Sequence, residues 1–308
     1  MLREKSKRES ELERLVTIVI PTLNEEEAIA QVLQELCSCG LRKLLVVDGY
    51  SSDRTADIAK QHGARVVYQH GKGKTGAMKT AIEEVNTPYM LVMDGDFTYD
   101  ASSIGRLLQH MESYDEVIGA RVANADTMNG LHNFGNKIIT KIFNIFMNTN
   151  LSDVCSGMYL LKTDSAREIH LGSAGFDVEA EIAAQIASSG TITEVPVNYR
   201  RRIGKQKLST WRDGPKILRS VLGLAKSYNP GVFYSILGSS IIIPAGLMLI
   251  WSIMDWVLTG TISSPWFFLG ISMLLVSIQA MGVGLIALIL RRTELRTTRM
   301  MRKILKHD

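Results

Sequence analysis

Short apolar runs at 16–20, 44–47, 66–68 and 89–93, most of them rich in β-branched residues, alternate with amphipathic stretches of helical spacing at 26–36, 55–62 and 75–85. Such alternation predicts a largely parallel sheet with helices on both faces, in the doubly wound style. Sheets of that kind bind ligands at the carboxyl ends of their strands. Further helical patterns at 104–111, 137–147 and 176–188 are separated by segments at 117–121, 152–162 and 192–197, with no internal repeat.

The pattern changes in the last third of the chain. From Ser227 to Leu290 the only charged residue is Asp255, which divides the stretch into two apolar segments, 233–254 and 266–290. As a helix the first would be about 33 Å long, enough for a hydrocarbon core of about 30 Å. Buried helices of soluble proteins seldom run so far without a charge, so two membrane spans are expected. The turn at 255–265 has no Lys or Arg, whereas 200–226 and 291–306 are rich in both, which places both flanks on the cytoplasmic side. Asp255 is expected at the far interface beside Trp256 and Trp266. The stretch 214–229 sets Lys216, Arg219 and Lys226 against Ile217, Leu218, Val221, Leu222 and Leu224, the pattern of a helix lying in the membrane interface.

The expected organisation is thus a cytosolic catalytic domain over 1–212, a juxtamembrane amphipathic helix over 213–230, two transmembrane helices within 231–290 and a basic cytosolic tail over 291–308. The charged residues 1–14 lack the apolar stretch of a signal peptide, so the catalytic domain and both termini are expected in the cytoplasm. Cys37, Cys39 and Cys155 make no disulfide framework or zinc spacing. The net charge of +4 comes mainly from the juxtamembrane and tail segments, which suits anionic lipid headgroups; no nucleic-acid module is expected.

Three polar loops fall at predicted strand ends: Pro21, Thr22, Leu23, Asn24 and Glu25; Asp48 to Asp53 with Ser51 and Ser52; and Asp94, Gly95 and Asp96. Each alone is compatible with helix capping, and Asn24 with Glu27 is spaced as a capping pair. Their convergence on one edge points to a site. Gly73, Lys74 and Thr75 end like a phosphate-binding P-loop, but that motif requires glycine at position 68, which is Tyr68, so nucleotide hydrolysis is rejected. Gly71, Gly73 and Gly76 instead suit a close backbone approach or a tight turn.

These residues resemble the family-two inverting glycosyltransferases of the GT-A fold, and among them the dolichyl-phosphate glucose and mannose synthases. The matching elements are Val19 to Glu25, Val47 to Thr55, Met93 to Phe97, Ser156-Gly157-Met158, Phe176-Asp177-Val178-Glu179 and Glu194 to Val197. The resemblance implies a GT-A, Rossmann-like domain. It implies a nucleotide-sugar donor held by Pro21, Thr22, Asn24, Glu25, Asp48, Ser51, Asp53, Gly73 and Lys74. It also implies Mg2+ or Mn2+ on Asp94 and Asp96. Arg121, Arg202, Lys207, Ser209, Asp177 and Glu179 are implied on the side of a polyprenyl or dolichyl phosphate acceptor, with Arg121 also counted among the catalytic residues. Family members often carry Gln or a similar residue two places after the second Asp, where this chain has Thr98. Related synthases often show an Arg and a Ser over 131–136, where this chain has Leu131, His132, Asn133, Phe134, Gly135 and Asn136.

The chemistry supports these residue types independently. A divalent ion on Asp94 or Asp96 would neutralise a diphosphate leaving group, and Asp48 could accept hydrogen bonds from a base or ribose. An acceptor phosphate is already ionised and needs positive charge more than a general base. The loop containing Lys72, Gly73 and Lys74 looks more like the glucosyl than the mannosyl branch, which leans toward a UDP-sugar. Two alternatives stay open: a membrane-anchored family-two enzyme acting on a lipid-linked saccharide, and a non-catalytic nucleotide-binding membrane scaffold. A processive polysaccharide synthase lacks support, since Trp211 follows Ser209 and Thr210 and no Q-x-x-R-W helix is present. The donor sugar, the lipid length and any homo-oligomer are left open.

Overall fold

The computed structural model describes residues 11–122, 130–172, 178–204, 222–223, 226, 229–260 and 264–305. They divide into two compact units, Met1–Val221 and Leu222–Asp308.

The first unit is built on one seven-stranded sheet of order β3-β2-β1-β4-β6-β5-β7. Its strands are β1 (Val16–Thr22), β2 (Leu44–Asp48), β3 (Arg65–Tyr68), β4 (Tyr89–Val92), β5 (Glu116–Val122), β6 (Tyr159–Lys162) and β7 (Ile192–Asn198). The helices are α1 (Ile29–Ser38), α2 (Thr55–Gln61), α3 (Gly73–Glu84), α4 (Ile104–Leu108), α5 (Gly130–Met147), α6 (Thr163–Arg167) and α7 (Val178–Ser189). β1 lies between β2 and β4, parallel to both, and all its residues but Pro21 are buried. A strand covered on both faces reads as a continuous apolar run, which is why VTIVI shows no alternation.

The segment 152–162 yields a strand only at its end, and that strand, β6, inserts antiparallel between β4 and β5. The sheet is therefore mixed. β7 closes the far edge beside β5, where Pro196, lacking an N–H, is tolerated because its outer side has no ladder to complete.

One core layer joins Ile18, Ile20, Val46, Leu91 and Met93 to Ile29, Val32, Leu33 and Leu36 on the buried face of α1. Each of those four helix side chains contributes about 1.5–3 kcal/mol of burial, as an upper estimate. α1 begins without a side-chain cap. Asn24 does not cap it in the predicted manner but turns to the β2 loop, where its Oδ1 accepts from the Ser52 amide at 2.8 Å. On α7, Val178 to Ala184 are all buried, because alanines let the helix press closely on its neighbours.

The second unit contains α8 (Pro230–Thr259) and α9 (Ser264–Leu305). Stretches 230–259 and 265–290 are long and apolar enough to cross a membrane, with mean hydropathies of 2.0 and 2.4, and few of their residues are buried. They pack through small residues: a Cβ on Gly238 would stand 2.9 Å from Ser277 O, and one on Gly270 2.9 Å from Leu249 Cγ. Ser277 Oγ donates to the Gly238 carbonyl at 2.6 Å. Such contacts stabilise helix pairs where no hydrophobic drive operates between them. Asp255 sits inside the last turns of α8 rather than in the turn after it, and α9 continues as helix to Leu305. Most of the expected interfacial helix lies outside the described residues.

Candidate active site at the strand ends

Asp48, the last residue of β2, is fully buried yet well supplied with donors. Its carboxylate accepts from Thr22 Oγ1 at 3.2 Å, Ser51 Oγ at 2.6 Å and the Ser51 amide at 2.8 Å. Ser51 Oγ in turn accepts from the Asn24 amide at 2.8 Å, which sews the β1 loop to the β2 loop. Asn24 and Tyr50 adopt positive φ, 53° and 61°, uncommon for side chains other than glycine and typical of strained functional loops. Asp53 accepts from the Thr55 hydroxyl and amide and from the Glu26 amide. Burial works against its charge, but these donors hold its carboxyl below the ordinary value. Tyr50 and Tyr68, both exposed, stack with centroids 5.4 Å apart at the same edge.

The loop after β4 carries Asp94, Gly95 and Asp96. Gly95 is required by proximity, since a Cβ there would stand 2.9 Å from Thr22 Cγ2. Gly157 matters more: a Cβ there would overlap the Asp94 carboxylate outright. Glycine at 157 thus lets the segment entering β6 pass beneath Asp94. Asp96 accepts from the Thr98 hydroxyl at 2.5 Å and amide at 3.1 Å. Burial first, and then the charge of Asp94, push its carboxyl above the ordinary value. Two crowded carboxylates of this kind favour an oxygen-loving divalent cation. Among the described residues no group of three or more His, Cys, Asp or Glu surrounds a metal position, so two aspartates would leave the remaining ligands to phosphate oxygens and water.

Two cations meet these aspartates. Lys74, from the first turn of α3, places Nζ 2.6 Å from Asp94 Oδ1 and also pairs with Glu179 of α7. Burial opposes the charge on Lys74, but Asp94 and Glu179 together push it well above its ordinary value, so it stays protonated. Arg202 lies 2.6 Å from Glu25 Oε1 and 3.3 Å from Asp96 Oδ2. It arrives on residues 199–203, tied across the Asp96 loop by Arg200 N to Thr98 O at 2.7 Å and Ile203 N to Asp96 O at 3.2 Å. Arg200 fastens this strap with bonds to Glu35 and Asp100 and lies over the Phe97 ring.

Arg121 is held elsewhere: Nε and Nη2 bond both oxygens of Asp153 at 2.6 and 2.7 Å, and the guanidinium faces the Tyr199 ring at 5.4 Å. Asn136 donates to the same Asp153 at 2.7 Å. Pro21, Thr22, Asn24, Asp48, Ser51 and Asp53 share one hydrogen-bonded edge. Gly73 opens the helix that delivers Lys74 to Asp94 and Glu179, and Glu25 meets Asp96 through Arg202. Asp177, Lys207 and Ser209 lie outside the described residues.

Sequence reasoning passed over Asp153 and Tyr99, whose hydroxyl accepts from the Gly157 amide at 2.6 Å. Neither lies in a strand-end motif. It noted Thr98 only as a departure, whereas its hydroxyl orients Asp96.

A mixed sheet with a D-G-D loop at its strand ends, a buried and donor-supplied Asp48 and cations facing the acidic pair is the arrangement of a glycosyltransferase of the GT-A fold. Comparison with known proteins agrees: residues 17–169 match the model of glycosyl transferase family 2. The chain is 36% identical over 230 residues to glycosyltransferase AglJ of Haloferax volcanii, covering 72% of this chain and 76% of that one. It is 31% identical over 212 residues to the dolichyl-phosphate hexose transferase of the same organism, covering 67% of this chain and 92% of the relative. The chain therefore belongs to glycosyl transferase family 2. Glucosyl-3-phosphoglycerate synthase from Mycobacterium tuberculosis, solved with Mn2+, UDP-glucose and phosphoglyceric acid, superposes with a TM-score of 0.58 at 17% identity. That likeness covers 72% of this chain and 83% of the other, and it shows the fold.

Proposed function

We propose that this enzyme transfers a sugar, with inversion, from a nucleotide-sugar donor to a polyprenyl phosphate of the dolichyl type at the cytoplasmic face of a membrane. The observation that carries the reading is the pairing of Asp94 and Asp96 with Lys74 and Arg202 at the strand ends, in a chain that also holds two helices of membrane-spanning length. A relative named dolichyl-phosphate hexose transferase supports the acceptor class.

In this reading the Asp48 edge holds the nucleoside, and Lys74 stands on the diphosphate side. Asp94 and Asp96 hold Mg2+ or Mn2+, which when bound neutralises the leaving diphosphate. An oxygen of the ionised acceptor phosphate attacks the anomeric carbon. As that bond forms, the bond from carbon to diphosphate oxygen breaks and its electron pair leaves with the nucleotide. No proton has to be removed, so the acceptor side needs cations rather than a base. Arg202 supplies one through charge-assisted hydrogen bonds, and Arg121, fixed by Asp153, supplies another. Glu179, expected on the acceptor side, is assigned instead to Lys74, its partner in the structure. The donor is taken to be a UDP-sugar, on the likeness of the Lys74 loop to the glucosyl branch.

The test is a donor screen with purified protein, a short polyprenyl phosphate and Mn2+ or Mg2+, read by mass spectrometry. A metal-dependent lipid-phosphate hexose is expected from a UDP-sugar. Transfer only to a lipid-linked saccharide would overturn the acceptor assignment.

A further inference from the structure

Six charged side chains form two triads of alternating sign in the site. On one side Glu179, Lys74 and Asp94 are linked in order; on the other Asp96, Arg202 and Glu25. Each aspartate of the D-G-D loop thus has its own cation, and each cation has a second carboxylate behind it. The outer carboxylates are well enclosed, with Glu179 at 7% and Glu25 at 11% side-chain exposure; Asp96 matches Glu25 at 11%, and Asp94 is the open one at 30%. Four carboxylates and two cations leave two negative charges, the charge that one divalent cation would cancel.

We propose that Lys74 and Arg202 are placeholder counter-ions of Asp94 and Asp96, and that Glu179 and Glu25 are positioning residues that retain them when a divalent cation takes the aspartates. The inference rests on the reading that Asp94 and Asp96 hold that cation. A half-buried Lys74 paired with Asp94 alone would compete with the metal and be stranded unpaired once displaced, a costly state in a partly desolvated place. With Glu179 behind it, Lys74 gives up one partner and keeps the other. An ammonium has three donors and accepts nothing, so the freed direction suits a diphosphate oxygen arriving with the metal. Arg202, kept by Glu25 and by the strap, is released in the same way toward a second phosphate. Each aspartate thereby keeps a cation beside it while the site is empty, and the arriving divalent cation meets the two negative charges left over.

The test is Mn2+ titration of the purified full chain in detergent, read by electron paramagnetic resonance, with and without UDP. Changing one neighbouring charge alters affinity by roughly tenfold at a partly buried site. Without nucleotide, Lys74→Met is expected to tighten Mn2+ binding by about tenfold and Glu179→Gln to weaken it by about tenfold. The double variant, in which Glu179 has no lysine left to retain, should bind Mn2+ within about threefold of Lys74→Met. With UDP present, Lys74→Met should lose most of the increase in Mn2+ affinity that the nucleotide confers. Glu25→Gln, acting through Arg202, should weaken Mn2+ as Glu179→Gln does, and it decides the matter if a Lys74 or Glu179 single variant does not fold. Unchanged Mn2+ affinity in Lys74→Met, shifts of the same sign in Lys74→Met and Glu179→Gln, or a double variant that binds as weakly as Glu179→Gln would each overturn the proposal while leaving the metal site standing. Absence of Mn2+ binding by the unmodified protein, even with UDP, would remove the metal reading and this proposal with it.

Discussion

Asp94 and Asp96 stand two positions apart in very different surroundings. Asp96 is largely enclosed and gripped by Thr98 and Arg202, whereas Asp94 is 30% exposed and rests above Gly157. Asp96→Asn is therefore expected to abolish transfer, and Asp94→Asn to reduce it less, with thermal midpoints little changed; product formation and calorimetry together check this. Gly157→Ala should push the Asp94 carboxylate aside and lower kcat/KM by about 100-fold, with a raised metal requirement in the kinetics. Away from the site, Glu116 is buried at the start of β5 with Oε2 unpartnered among the described residues, and burial pushes its carboxyl well above the ordinary value of 4.5. A group whose pKa is raised by folding stabilises fully below its unfolded pKa and loses that contribution as pH rises through the folded value. Glu116→Gln should therefore gain thermal stability over the unmodified protein as pH rises from about 5 to about 7, by up to about 1.4 kcal/mol per pH unit. Melting curves across that range would show it. At this scale Asp48, Asp94 and Asp96 were legible because carboxylates at strand ends are out of place unless they bind something. Asp153, Tyr99 and the tie between Glu179 and Lys74 were not, because each is defined by a partner 32 to 105 residues away in the chain.

The strap of residues 199–203 shows how a short segment fixes a side chain that it carries, Arg202. Two backbone bonds lay it across the Asp96 loop, and Arg200 pins it to Glu35 and Asp100. Arg200→Ala should loosen the strap, so that acceptor kcat/KM falls by about tenfold through a displaced Arg202 while nucleotide affinity holds, and amides of 97–99 exchange faster with solvent. Acceptor kinetics, nucleotide titration and hydrogen exchange separate that from global unfolding. The strands β1, β2 and β4 were legible because buried parallel strands are continuous apolar runs. β6 was not: nothing in Tyr159 to Lys162 says that it enters between two earlier strands, since insertion depends on the path of α5 and not on local pattern. Asn24, spaced to cap a helix, reaches the β2 loop, a contact that local spacing does not reveal.

Taken whole, the molecule joins a hydrogen-bonded catalytic sheet to an apolar helical pair, each with its own interior. The charge pattern of the flanks predicts that Asn24, Asp48 and the residues after 290 face the cytoplasm and that the turn near Gly260 faces the other side. Cysteine-specific labelling of intact cells checks this: reagent should reach a cysteine placed at Gly260 and miss one placed at Lys306. β7, the last strand, has a consequence for the order in which the chain comes into being. It ends at Asn198, while the first long apolar helix begins at Pro230. At about 5–20 residues per second, the ribosome takes roughly 5–20 s to pass from that strand to the end of the second apolar stretch at Leu290. Every strand among the described residues is synthesised before either apolar helix, so the sheet can begin to take shape before a segment long and apolar enough to cross a membrane has emerged.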